Sequence, residues 1–224
     1  MNRRLLLSII GAIIAVSNDA FASNGRDLRD AAARSDIRAL AKVLEISGGR
    51  ASIDDADARG QTALLIAIER GHDAAAIALI DAGADINAQA ANRDTPWLLA
   101  GAEGRVAALK RMLEGGKIDY GKRNRYGGNA LIPAAHRGHV KAVRLLLEAS
   151  KIDVDHVNDL GWTALLEAVI LGDGGVAHTE IARLLVAHGA DVSLGDREGV
   201  TPLAHARRRG QSAVVALLEK AGAR

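Results

Sequence analysis

His136 and His139 stand three residues apart, a spacing that can set two imidazoles on one helical face and hold zinc. Gly138 lies between them and ends a helix rather than continuing it, so the shared face is broken. His178, His188 and His205 are scattered and show no cysteine or carboxylate grouping around them. The run Gly172-Asp173-Gly174-Gly175 has the flexibility of a phosphate cradle or a calcium loop. It lacks the Lys-Ser/Thr ending of the first and the spaced carboxylates of the second, and reads as a flexible link between two helices. Ser23, Ser47, Ser52 and Ser150 fall at the start or in loops, and no Ser-His-Asp grouping is readable. Arg207-Arg208-Arg209 is the densest basic cluster, but no aromatic platform accompanies it for single-stranded nucleic acid. No catalytic residue, metal site or cofactor is expected.

The elements that would position any site follow from composition. Hydrophobic residues make up 49% of the 224 and charged residues 25%, which is globular rather than disordered. Aromatics are only 2%, so the core must be built from Ala, Leu, Ile and Val. An alanine-rich core suits closely packed helices better than sheets. A formal charge of +2 gives no strong field toward nucleic acid or an anionic membrane. With no cysteine, disulfides, thiol chemistry and a lipidated Cys are excluded, and stability must come from packing.

Residues 1–22 read as a cleavable signal peptide. Arg3 and Arg4 form a basic start, Leu5 to Val16 is apolar, and Ala20-Phe21-Ala22 supplies a small-x-small cleavage site, with Ser23 as the first mature residue. The apolar run is shorter than the ~20 residues a spanning helix needs. The expectation is export to the periplasm with no stable membrane anchor, and a mature charge of +1 once Arg3, Arg4 and Asp19 are removed.

The rest of the chain repeats. Gly-x-Thr-(Pro/Ala)-Leu occurs at Gly60–Leu64, Gly161–Leu165 and Gly199–Leu203, with weaker copies at Arg93–Trp97 and Gly127–Leu131. The Thr-equivalent positions 62, 95, 129, 163 and 201 are spaced 33, 34, 34 and 38. Gly83-Ala84-Asp85-Ile86 and Gly189-Ala190-Asp191-Val192 keep the same register, as do Gly71-His72, Gly104-Arg105, Gly138-His139 and Gly210-Gln211. Self-similarity near 33 residues marks a helix-pair solenoid.

Each phrase has a physical reason. Thr62 or Thr201 can cap a first helix, and Pro96 or Pro202 suits its first turn. Ala67, Ala100, Ala134, Ala135, Ala168 and Ala206 allow close approach of neighbours, and the glycine before each second helix ends the first. Second helices carry apolar faces such as Val143-Leu145-Leu146-Leu147 that a single helix pair cannot cover, so the pairs must stack.

Together these phrases resemble the ankyrin repeat, over essentially the whole chain after residue 22. The resemblance implies an all-α solenoid of about six helix-turn-helix repeats with β-turn fingers, at about 24–56, 57–89, 90–123, 124–157, 158–195 and 196–224. The first of these is degenerate, with Ala31-Ala32-Ala33 and then Ile37, Leu40, Val43 and Leu44 at helical spacing. Some positions depart from the pattern. Leu65, Leu98, Ile132, Leu166 and Ala204 replace the customary histidine, which exchanges a polar tie for apolar packing. Arg93 replaces a finger glycine and puts that turn's geometry in question, and Pro133 costs at most about one backbone bond.

In the resembled family, partners are held by finger tips and by the exposed ends of first helices. Carried across, those positions are Arg59, Gln61, Glu69, Arg70, Asn92, Asp94, Glu103, Tyr126, His136, Arg137, Leu160, Trp162, Ile170, Leu171, Glu198, Arg208 and Arg209. Tyr126, Leu160, Trp162, Ile170 and Leu171 are expected to form an apolar, aromatic cluster beside Arg137, the composition of a protein-binding hot spot. Trp162 could instead fold back onto the next repeat, whereas Trp97 sits in the Leu slot of the phrase and reads as core. The chain also resembles small exported bacterial ankyrin proteins through Leu165–Gly175. Some of that group are associated with oxidative-stress defence and catalase function, so the resemblance implies a non-catalytic scaffold or chaperone-like binder. Its partner would be another protein, a periplasmic catalase being one such guess, with no nucleic acid bound and a monomeric state. The competing readings are a hydrolase using His136 with a nearby carboxylate, and a small-ligand sensor in the concave groove.

Overall fold

The computed structural model describes residues 24–46 and 50–224. The expected signal peptide, Ser23 and Ser47 lie outside the described residues. Among the described residues there are twelve α-helices and no strand, and the helices fall into six pairs. The pairs are α1 (residues 24–34) with α2 (Ile37–Glu45), α3 (Ala63–Glu69) with α4 (Asp73–Asp81), and α5 (Pro96–Ala102) with α6 (Val106–Gly115). They continue with α7 (Leu131–His136) and α8 (Val140–Ala149), α9 (Ala164–Ile170) and α10 (Val176–Ala187), and α11 (Pro202–Arg208) and α12 (Ser212–Lys220). No described helix is long and apolar enough to cross a membrane.

The first helices have only six or seven residues from α3 onward, far below the ~12–15 at which an isolated helix becomes even marginal in water. Their starts are fixed by side chains. Thr62, Thr95, Thr163 and Thr201 each accept a hydrogen bond from the backbone N–H three residues on, at 3.2–3.3 Å. Asn129 does the same work in the fourth repeat, accepting from Leu131 N–H at 3.0 Å and Ile132 N–H at 3.3 Å, and its amide donates to Asp153 O at 2.9 Å. Pro133 is the third residue of α7, where the N–H it lacks would have no intrahelical acceptor, so it costs no helix bond. Ends are set by Gly71, Gly104, Gly138 and Gly210, all at φ between 64° and 75°.

Stacking supplies the rest of the stability. Ala67, Ala100, Ala134, Ala135 and Ala206 are fully buried, as are Leu79, Leu109, Met112, Leu146, Leu185 and Leu218 from the second helices. Each such Leu contributes roughly 1.5–3 kcal/mol by leaving water. Ile37, at helical spacing with Leu40 in the sequence, is exposed on α2, whereas Leu40 is buried. Trp97 is buried, with the Tyr120 ring edge-on at 5.9 Å.

One polar device recurs between repeats. The residue before the second helix reaches back to a carbonyl at the end of the preceding first helix. His72 Nδ1–H donates to Ala32 O at 2.9 Å, Arg105 Nε–H to Ile68 O at 3.1 Å, and Gln211 Nε2–H to Val169 O at 3.0 Å. His139 makes the same kind of bond to Ala102 O. These carbonyls lie at helix ends, where intrahelical donors run out. Ala32 O also accepts from Ser35 N–H at 3.2 Å and Ile68 O from Gly71 N–H at 3.1 Å, so there the side chain adds a second bond, worth about 0.5–1.5 kcal/mol.

The Gly172–Gly175 insertion breaks this pattern and restores it elsewhere. Gly175 precedes α10 and has no side chain, so His178 takes over the task one turn later. Its Nε2–H donates to His136 O at 2.9 Å while Nδ1 lies 2.8 Å from Asp173 Oδ1. Gly172 O accepts from Arg209 at 3.1 Å, and Gly174 packs on Gln211. The sequence suggested a flexible link, but this segment is tied at both ends. Likewise, His178 and His205, read from sequence as having no carboxylate grouping, both have carboxylate partners, Asp173 and Asp196, brought across a turn rather than along one helix face.

Candidate functional site

Five fingers project from the starts of repeats two to six, built by one recurring turn. Asp57, Asn124, Asn158 and Asp196 each accept, through one side-chain oxygen, the backbone N–H groups two and four residues on at 2.8–3.1 Å. Ala90 cannot do this in the third repeat, where Asn92 Oδ1 accepts from Asp94 N–H at 3.0 Å instead. The turn in question keeps its shape, with Arg93 N–H donating to Ala90 O at 2.8 Å as Gly60 N–H does to Asp57 O at 2.9 Å. The cost is a non-glycine residue at φ 65°. Adjacent fingers are also joined, through Ala91 N–H to Arg59 O at 2.9 Å and Asp159 N–H to Tyr126 O at 2.8 Å.

Between the fingers and the first helices of repeats two to five runs a groove of about 640 Å³. Leu65, Leu99, Ile132 and Pro133 give it an apolar floor. Of the positions singled out in the sequence, Gln61, Glu69, Asn92, Asp94, Glu103, Tyr126, His136, Arg137, Leu160, Trp162 and Leu171 line it. Tyr126, Leu160 and Leu171 are between 42% and 51% exposed, and Trp162 is half-buried in the wall, neither free in solvent nor lost to packing.

The other six do not line it. Arg59 donates to Gln61 Oε1 at 3.1 Å, and Arg70 Nη1–H donates to Ala33 O at 3.1 Å. Arg209 is held by the insertion, Glu198 and Arg208 are exposed on the sixth repeat, and Ile170 is half-buried outside the groove. The expected apolar cluster therefore loses Ile170. Arg137, expected beside it, is bound to Glu103 and to Ala102 O at 3.0 Å. The guanidinium nearest Tyr126 is that of Arg125, 4.8 Å above the ring centroid.

Sequence reasoning missed the groove's most unusual group. Glu167 lies on α9 with its side chain only 8% exposed. Asn158 Nδ2–H donates to Glu167 Oε1 at 3.0 Å, and Glu167 Oε2 lies 3.6 Å from His136 Nδ1, past hydrogen-bonding distance. Burial pushes the Glu167 carboxyl up to about 7, against the lowering effect of the Asn158 bond. His136 is lowered by burial and then by the charges of Arg137 and His178. Asp94 is also raised by burial, which outweighs the pull of Arg125, Arg137 and the Asn92 hydrogen bond. The signal that could have found Glu167 is a column comparison: nine residues separate Asn158 from Glu167 and Asp196 from His205, and both pairs are hydrogen-bonded.

The arrangement can accept hydrogen bonds and cations, and it sets an imidazole beside a carboxyl just beyond direct hydrogen-bonding distance. The groove lining contains no hydroxyl side chain of serine or threonine to act as a nucleophile.

Fold and groove define a helix-pair solenoid with a groove between its fingers and its first helices. The family model for ankyrin repeats matches in three copies, over residues 28–124, 97–177 and 150–224. The putative ankyrin repeat protein YahD of Escherichia coli K12 is 39% identical over 171 residues, covering 76% of this chain and 85% of that protein. Among solved structures, an ankyrin repeat domain from Acinetobacter baumannii AYE superposes with a TM-score of 0.82 at 47% identity, over 88% of this chain and 98% of that one. The ankyrin repeat protein EF0377 gives 0.82 at 41% identity over the same shares. The chain belongs to the ankyrin-repeat family. Ankyrin repeats generally mediate protein–protein interaction.

Proposed function

We propose that this chain is an exported scaffold or chaperone-like binder that holds another protein in the groove between its fingers and first helices. The observation that carries this reading is the groove's composition. A chain with two Trp, two Tyr and one Phe places Tyr126 and Trp162 on one concave wall, with Leu160 and Leu171 half-exposed beside them. Apolar surface of this kind rimmed by charge is what protein partners cover. Export rests on the basic, apolar and small-residue order of residues 1–22. Oxidative-stress defence is the setting proposed from resemblance, with a periplasmic catalase the first partner to try. Recovery of partners from periplasmic extract should fall sharply with Tyr126→Ala and Trp162→Ala. Unchanged recovery from both variants removes the groove from the account.

A second reading has one observation in its favour. His136 and Glu167, 31 residues apart in the chain, meet at 3.6 Å in the groove, so a His with a carboxylate could activate water for hydrolysis. Turnover in a panel of hydrolytic substrates, abolished by His136→Ala, would establish it.

A further inference from the structure

The geometry points to a receptor for one basic side chain of the bound protein, its cationic head on Glu167 Oε2 and its alkyl stem along Tyr126 and Trp162. This rests on the reading of the groove as a protein-binding surface and names the chemistry of what enters it.

The fold does not need a carboxylate at this position. The residues at the same place in repeats two, three and four are Ile66, Leu99 and Pro133, and those repeats stack without charge. In repeat six the equivalent His205 is closed on Asp196 at 2.7 Å. At this helix position only Glu167 opens onto the groove, its side chain 8% exposed, with one oxygen engaged by a neutral amide and the other accepting no hydrogen bond from any described residue. A buried carboxylate without a cation is costly, and a basic side chain brought by a ligand would relieve that cost at the moment of binding.

The neighbouring cations are committed elsewhere. Arg137 is held by Glu103 and Ala102 O, and Arg125 stacks on Tyr126. The groove's ionisable lining is Glu69, Asp94, Glu103 and Glu167 against Arg125 and Arg137, with His136 at the edge of Glu167. That balance favours a cation and disfavours an acidic peptide or a nucleic-acid phosphate. The aromatic wall gives the stem of a lysine or arginine an apolar surface while its head reaches the floor.

The test uses the full chain and Nα-acetyl-lysine methylamide as the probe, with its arginine, norleucine and glutamate counterparts, followed by NMR. The lysine or arginine probe should move the Glu167 carboxyl and Trp162 indole signals saturably, with buried Trp97 as the internal control. Norleucine and glutamate should bind about tenfold or more weakly. Glu167→Gln, which keeps an acceptor for Asn158, should erase the preference without loss of fold. Equal shifts from norleucine, stronger binding of glutamate, or an undiminished preference in Glu167→Gln overturn the cation site and leave the groove reading standing. The groove reading falls by a different result, unchanged partner recovery from Tyr126→Ala and Trp162→Ala.

Discussion

Asn158 donates to Glu167 across nine residues at 3.0 Å, and Asp196 holds His205 across the same nine at 2.7 Å. The same tie between finger base and first helix is therefore built twice with the polarity reversed. In repeat six the carboxylate is on the finger and the imidazole on the helix, and the pair is self-contained. Burial raises Asp196, but the His205 bond and the N–H groups of Val200 and Glu198 outweigh it and leave the carboxyl lowered. In repeat five the carboxyl is on the helix with only an amide to meet it, and it ends up raised to about 7.

This difference has a measurable consequence for stability. Glu167 binds its proton more tightly folded than unfolded, so between about pH 4.5 and about pH 7 the unfolded state loses the proton first. Stability due to this group is present below that window and falls as pH rises through it, by on the order of 3 kcal/mol at most. His136 and His139 are lowered and act with the opposite sign, so the difference between wild type and Glu167→Gln isolates the carboxyl. Urea melts should show Glu167→Gln gaining on wild type as pH rises and levelling off above about pH 7. A flat difference would contradict the burial argument.

Gly101 is a second point where packing decides. A Cβ there would sit 2.6 Å from Ala130 O and 2.8 Å from Ala130 Cβ, at the contact of α5 with the start of the next repeat. Gly101→Ala, which would favour a helix by propensity alone, should instead destabilise by about 1–3 kcal/mol. A thermal melt moving upward would refute the close contact.

Arg93 occupies the left-handed region at φ 65° where Gly60, Gly127, Gly161 and Gly199 stand in the other fingers. Arg93→Gly should stabilise by about 0.5–1 kcal/mol, the relief of the turn partly offset by a more flexible unfolded chain. The sign of the shift in denaturant midpoint checks it.

His178→Ala should free His136 O and loosen the insertion from Asp173. The expected loss is about 1 kcal/mol, with faster hydrogen exchange around Gly172–Gly175 and little change in repeats one to three. Exchange rates that stay the same would mean that Arg209 and Gln211 suffice to hold the insertion.

Much of this protein was legible in one dimension. The 33-residue step, the Thr at each helix start, the glycine at each helix end and the apolar second helices identify stacked helix pairs, because each is a local rule repeated in register. Of the finger positions, Gln61, Asn92, Tyr126, Leu160 and Trp162 lie along one groove, together with the helix-end residue His136. Other features depend on contacts between repeats. Glu167 looked like any helical residue in Leu165–Gly175, and neither its burial nor its meeting with His136 can be read from spacing, because 31 residues and a repeat boundary intervene. Arg70, Arg137 and Arg209 looked equally free, yet each is drawn to a carbonyl of the preceding repeat. That short helices unable to cover their apolar faces must stack follows from residue order alone. Which polar groups were consumed in joining neighbours, and which were left facing the groove, emerged with the packed fold. That allocation depends on where side chains from successive repeats meet, and on the local dielectric at each meeting.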